Sequence, residues 1–157
     1  MIRLLLPTES PAAGSGSGAG YSKTPLLRKL GIQPGWRLLV IEPPANYWEL
    51  LGKLPAGTRV VAEDAADSMP LEFIHLFASS FAELERTLQT YQRRIVPHGM
   101  IWVSWPKKSS GIRSDLDENR IRELALQRKL VDVKVAAIDS TWSGLKLVIR
   151  RMDRPSG

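Results

Sequence analysis

The chain has 157 residues, the size of a single domain of roughly 100 to 200 residues, enough to bury a core but not two catalytic domains. At 43% hydrophobic and 24% charged residues, the composition excludes disordered, collagen-like and coiled-coil chains. With no cysteine, disulfide frameworks, zinc ribbons, thiol nucleophiles and iron–sulfur clusters drop out, and His75 and His98 are the only imidazoles.

The formal net charge is +6, unevenly placed: residues 1–85 hold 7 basic and 9 acidic side chains, residues 86–157 hold 15 and 7. A basic half attracts polyanions, so a phosphate, nucleic-acid or acidic-protein partner is one reading and a solvated surface the other. The charges are spread rather than blocked, which favours the solvated surface. A nucleic-acid partner is disfavoured, because there is no aromatic-basic sheet signature and no recognition helix.

The apolar opening MIRLLL is stopped by Pro7 and Glu9, too short for a secretory core and far below the about 20 residues of a membrane span, which predicts a cytoplasmic protein. Residues 7–20 (PTESPAAGSGSGAG) carry no core-building side chains, so residues 1–20 are expected to be a flexible segment, either native or an appended tag or linker. Ser22 or Thr24 caps a short helix with Pro25 in its first turn, Leu26, Leu27 and Leu30 on one face and Gly31 at its end.

Residues 36–41 (WRLLVI) read as a strand buried on both faces, 47–54 as a brief helix and 58–62 (TRVVA) as a second strand. Residues 73–78 (FIHLFA) form a third strand. A helix over 81–95 follows, with Leu84, Leu88, Tyr91 and Ile95 on one face, closed by Pro97-His98-Gly99. Residues 100–105 are the fourth strand and 106–114 (PKKSSGIRS) a loop. A helix over 115–129 then opens with Asp115 and Glu118 in a capping-box pattern. Strands over 131–138 and 145–151 are joined closely enough to pair antiparallel, leaving 153–157 as a tail.

Strands alternating with helices predict a three-layer α/β, mostly parallel Rossmann-like sheet ending in an antiparallel hairpin. KLGIQPGWR before the first strand, VPHG before a later one and the closing hairpin resemble the methyltransferase-like form of that fold over residues 21–152. Four segments, 19–29 (AGYSKTPLLRK), 101–111 (IWVSWPKKSSG), 130–135 (LVDVKV) and 142–150 (WSGLKLVIR), also resemble a family of small bacterial proteins catalogued only as a domain of unknown function. That likeness implies the fold and no activity.

The methyltransferase-like resemblance makes S-adenosylmethionine the cofactor to test, at a glycine-rich exit from the first strand. Here the exit reads Glu42-Pro43-Pro44-Ala45-Asn46-Tyr47-Trp48, with two prolines that offer no N–H and two rings where glycines would leave room, so no cofactor is expected. The weak candidates for a residual site are Glu42 and Glu63, the latter placed at the end of strand two, where a carboxylate grips ribose hydroxyls in dinucleotide folds.

The loop after strand four holds Lys107, Lys108, Ser109, Ser110 and Gly111 at the sheet edge where open α/β sheets bind ligands. Ammonium groups, hydroxyls and backbone amides there suit a phosphate or carboxylate, though the segment lacks a phosphate-loop pattern. Asp139, Ser140 and Trp142 are expected at the same edge, so Lys107, Lys108, Ser110, Asp139, Ser140 and Trp142 are the ligand-binding candidates. Asp139 beside Lys107 or Lys108 would suit acid–base work.

His75 reads as a buried, hydrogen-bonded strand residue and His98 as a turn residue. Trp36, Trp48 and Trp102 read as core, with Trp105 and Trp142 left for stacking on a base or partner. No metal site is expected. The sequence therefore favours a binding or interaction module without a standard S-adenosylmethionine site, its partner unspecified, with an anionic small molecule or acidic protein as the candidates. The alternative is an enzyme, either an atypical methyltransferase or an activity on an anionic small molecule at the Lys107/Lys108 loop.

Overall fold

The strand Arg37–Ile41 (β1) alternates strictly, sending Leu39 and Ile41 to one side of the sheet and Leu38 with Val40 to the other. Burial on both sides is what an uninterrupted apolar run requires. The structure, a computed structural model, describes residues 24–63 and 69–155. The expected flexible segment 1–20 lies outside the described residues.

Five further strands join β1: β2 (Arg59–Val60), β3 (Leu71–Phe77), β4 (Ile95–Pro106), β5 (Leu130–Ala137) and β6 (Trp142–Ile149). They form one sheet in the order β2-β1-β3-β4-β6-β5. The first four run parallel, and β6 lies antiparallel between β4 and β5. Helices α1 (Leu26–Leu30) and α2 (Tyr47–Leu51) cover one face, where Leu26, Leu30, Tyr47 and Leu51 meet Leu38, Phe73 and Trp102. Helices α3 (Phe81–Tyr91) and α4 (Glu118–Gln127) cover the other, where Leu84, Leu88, Ile121 and Leu124 meet Leu39, Ile74, Ile101 and Leu145. The three-layer, mostly parallel α/β sheet with a closing hairpin is thus the observed architecture.

Several boundaries differ from the sequence expectation for physical reasons. The helix expected over 81–95 stops at Tyr91, and after a 3-10 turn at Gln92–Arg94 the chain is already in β4 at Ile95. Pro97, His98 and Gly99 therefore lie along a strand rather than closing a helix, and His98 is not a turn residue. Leu71 pairs with Ile95 and Phe73 with Met100, so β4 spends five residues where β3 spends two, and the surplus bulges outward. Gly99 is required there: a Cβ would lie 2.8 Å from the Glu72 carbonyl oxygen and 2.7 Å from Ile95 Cγ1.

The capping pattern at Asp115 is also resolved differently. α4 begins at Glu118, and the cap is Asp117, whose carboxylate accepts the Arg120 N–H at 2.8 Å. Asp115 serves the other helix, accepting the Phe81 N–H at the start of α3 at 2.8 Å. The Arg120 side chain donates to the Asp115 carbonyl and lies 4.4 Å over the Phe81 ring. The two helix starts are thereby fastened together.

β6 begins at Trp142, three residues earlier than expected, because Gly144 is a strand residue whose missing side chain makes room for Trp102 and Ile138. Trp102 is fully buried, and its indole N–H donates to the Leu30 carbonyl at 3.0 Å, pinning the end of α1 to the sheet.

Candidate functional site

The parallel strands place their C-terminal ends on one edge, which receives the β1 exit, the end of β2, the loop after β4 and the β5–β6 turn. At the β1 exit Glu42 is exposed and takes φ +56°, a left-handed conformation that glycine adopts without strain. Pro43 and Pro44 follow, and the Pro44 carbonyl accepts the Tyr47 N–H at 3.0 Å to start α2. The first turn of that helix then drives Tyr47 into the sheet, where it is fully buried.

Beneath Tyr47 three buried polar groups form a line. The Tyr47 hydroxyl is 2.8 Å from His75 Nδ1 on β3, and His75 Nε2 is 2.7 Å from Ser104 Oγ on β4. One ring proton satisfies the line, with Tyr47 donating to Nδ1 and Nε2–H donating to Ser104, or the reverse. Burial pushes the His75 imidazole down to about 3 and the Tyr47 phenol well above its ordinary range, so both are neutral near pH 7. Phe77 stacks on His75 with ring centroids 4.3 Å apart, and Trp142 meets Phe77 edge-on at 5.2 Å. His75 is therefore the buried, hydrogen-bonded residue that the sequence suggests.

Glu63, after β2, accepts a hydrogen bond from the Tyr91 hydroxyl at 3.3 Å, which places it against α3. Around the lysine loop, Pro106 pairs with Trp142, and the Lys107 N–H donates to the Thr141 carbonyl at 2.8 Å. The loop and the β5–β6 turn are thus adjacent. Within the loop the Ser110 hydroxyl donates to the Lys107 carbonyl at 2.6 Å and accepts the Ile112 N–H at 3.1 Å. Asp139 is occupied in the same way, one carboxylate oxygen accepting the N–H groups of Thr141 and Trp142, each at 2.8 Å. Both side chains shape their own turns. Lys108 and Ser140 are exposed and Lys107 half-buried, and neither lysine forms an ion pair with Asp139.

The tryptophans redistribute. Trp105, read as a stacking candidate, is buried in the core between the sheet and α4, whereas Trp48, read as core, is 40% exposed. Trp142 packs half-buried beside Phe77. No group of three His, Asp or Glu side chains among the described residues could hold a metal ion. No helix among them is long and apolar enough to cross a membrane.

No family model matches the sequence, so the resemblance of residues 19–29, 101–111, 130–135 and 142–150 to a catalogued family finds no support. No curated protein sequence matches it either. Solved structures do match. A SAM-dependent methyltransferase from Aquifex aeolicus superposes with a TM-score of 0.58 at 13% identity, covering 79% of this chain and 88% of that one. The fold is methyltransferase-like. Magnesium protoporphyrin IX methyltransferase from Synechocystis PCC 6803, solved with bound SAH, gives 0.56 at 10% identity over 79% of this chain and 80% of that one. The ribosomal protein L11 methylase from Lactobacillus delbrueckii subsp. bulgaricus gives 0.54 at 9% identity over 80% and 76%. At these identities the likeness is one of fold.

Sequence reasoning passed over three lysines beside this edge: Lys29 on α1, Lys134 on β5 and Lys146 on β6. The available signal was a lysine inside each of two apolar strand patterns, LVDVKV and WSGLKLVI, where an alternating strand places half of its residues toward a covered face.

Proposed function

We propose that this methyltransferase-like domain works as a binding or interaction module and does not hold S-adenosylmethionine in the manner usual for its fold. The observation that carries the reading is the β1 exit. A cofactor cradle there needs backbone that comes close to the ligand and free amides to meet it. Glu42 carries a side chain at the left-handed position, Pro43 and Pro44 supply no N–H, and the Tyr47 ring is locked beneath them by its hydrogen bond to His75. The residues present do not fit the cofactor. In place of a reactive group, the edge offers amides and carboxylates committed to their own turns at Asp139 and Ser110, and lysines at 107 and 108 that favour an anion.

The enzyme reading draws on Glu63, three residues beyond the end of β2 and near where dinucleotide folds hold a ribose-binding carboxylate. Its contact with Tyr91 orients it against α3. Calorimetric titration with S-adenosylmethionine separates the two. The module reading expects no saturable heat. Micromolar binding abolished by Glu63→Ala would overturn the module reading and favour the enzyme one.

A further inference from the structure

The three lysines that the sequence reading passed over belong, with Lys107, to one cluster on the α1 face of the β5–β6 hairpin. Lys134 and Lys146 are direct partners across the antiparallel pair, and Lys146 also stands opposite Trp102, which faces α1. Lys29 at the end of α1 donates from Nζ to the Ala137 carbonyl at 3.0 Å, while Lys134 Nζ donates to the Lys29 carbonyl at 3.1 Å. Lys107 is joined to the β5–β6 turn by its backbone bond to Thr141, and its charge acts on Lys29.

Like charges placed directly opposite on a sheet are destabilising, and although backbone carbonyls accept from Lys29 and Lys134, no carboxylate among the described residues pairs with any of the four lysines. Among the described residues all five ion pairs are made by arginines. The acids of the hairpin are turned away: Asp139 holds its own turn. The pairing irregularity between Asp132 and Lys134 sends Asp132 to the opposite face, where it binds Arg122 of α4. Burial and then the neighbouring lysines Lys107 and Lys134 lower the proton affinity of Lys29, and burial and then Lys134 lower that of Lys146. A lysine at position 134 alone would serve to guard an exposed edge strand. Lys146 has no such use, since β6 is covered on both edges by β4 and β5.

We propose that Lys29, Lys107, Lys134 and Lys146 form a binding surface for a small ligand that carries two or more linked phosphate groups. A single compact anion cannot neutralise four ammonium groups spread over a helix end, two strands and a loop, whereas a polyphosphate chain meets several at once. The surface lies on the α1 face of the hairpin and does not depend on whether the β1 exit takes a cofactor.

The test is calorimetric titration of inorganic tripolyphosphate into the whole chain at about 0.15 M salt, where scattered surface charge is largely screened. The wild type, a Lys134→Met/Lys146→Met variant and an Arg86→Met/Arg93→Met variant, which loses equal charge from the exposed α3 side, are compared, each checked for folding by thermal melt. Saturable one-to-one binding, weakened at least tenfold by the lysine pair and less than twofold by the arginine pair, is expected. Absence of saturable binding to the wild type, or equal weakening by both variants, overturns the proposal. So does a single-stranded RNA 20-mer that binds through the same lysines more than tenfold tighter, since the partner would then be a nucleic acid. If the lysine variant fails to fold, Lys29→Met with Lys107→Met takes its place under the same criteria.

Discussion

The hydroxyl of Tyr47 stands 2.8 Å from Nδ1 of His75, both side chains fully buried between α2 and the sheet. Tyr47→Phe keeps the ring but leaves Nδ1 without its partner, and an unsatisfied buried polar atom costs about 1 to 3 kcal/mol. Urea unfolding should show a loss of that size. His75→Phe takes the ring partner from both the Tyr47 and the Ser104 hydroxyl and should cost more than Tyr47→Phe alone.

The same histidine gives the protein a defined response to acid. Folded, His75 stays neutral until about pH 3, whereas an unfolded chain protonates it near its ordinary value of 6.5. Between those two values the unfolded state binds the extra proton, so stability is fully present above 6.5 and falls as the pH drops toward 3. The slope is about 1.4 kcal/mol per pH unit. Unfolding free energies at pH 7 and pH 5 should differ by about 2 kcal/mol more in the wild type than in His75→Gln. An equal pH dependence in the two proteins would show that His75 is accessible to protons in the folded state.

Two glycines rank by what surrounds them. At Gly99 an added Cβ meets the Glu72 backbone at 2.8 Å, which yields only if β3 or β4 moves. At Gly144 it meets the side chains of Ile138 at 2.9 Å and Trp102 at 3.1 Å. Overpacking of this kind costs about 1 to 3 kcal/mol. Gly99→Ala should fall at the upper end and Gly144→Ala below it, measured as shifts of the denaturant midpoint at constant slope.

The fastening of the two helix starts is also measurable. Asp117→Ala removes the cap of α4 and should cost about 1 kcal/mol. Asp115→Ala acts on α3 instead, by freeing the Phe81 N–H. Hydrogen exchange should therefore quicken at Phe81 in the Asp115 variant and at Arg120 in the Asp117 variant.

Much of this architecture was legible in the sequence because it rests on local patterns. WRLLVI carries its own two-sided burial, and Leu84 with Leu88 marks the buried stripe of α3. What was not legible depends on distant partners. Pro97-His98-Gly99 is punctuation in any sequence, yet the pairing of Ile95 with Leu71 draws it into a strand. Asp115 with Glu118 carries the capping pattern in the sequence, yet Asp115 is taken by the Phe81 N–H and the cap of α4 falls to Asp117. The insertion of β6 between β4 and β5 has no local signal, and with it goes the juxtaposition of Lys134 and Lys146. The lysine loop was found from its position at a strand end. That Ser110 and Asp139 spend their hydrogen bonds on their own turns could be seen only in three dimensions.

The central claim is that the β1 exit is filled by the protein itself. Amide NMR of the whole chain with a large excess of S-adenosylhomocysteine tests it most directly, because each backbone N–H from Ile41 to Trp48, prolines apart, reports its own surroundings. The account predicts that these signals, and those of His75 and Phe77 beneath them, stay where they are. Saturable shifts confined to this stretch and to Glu63 would contradict it and place a cofactor at the end of β1.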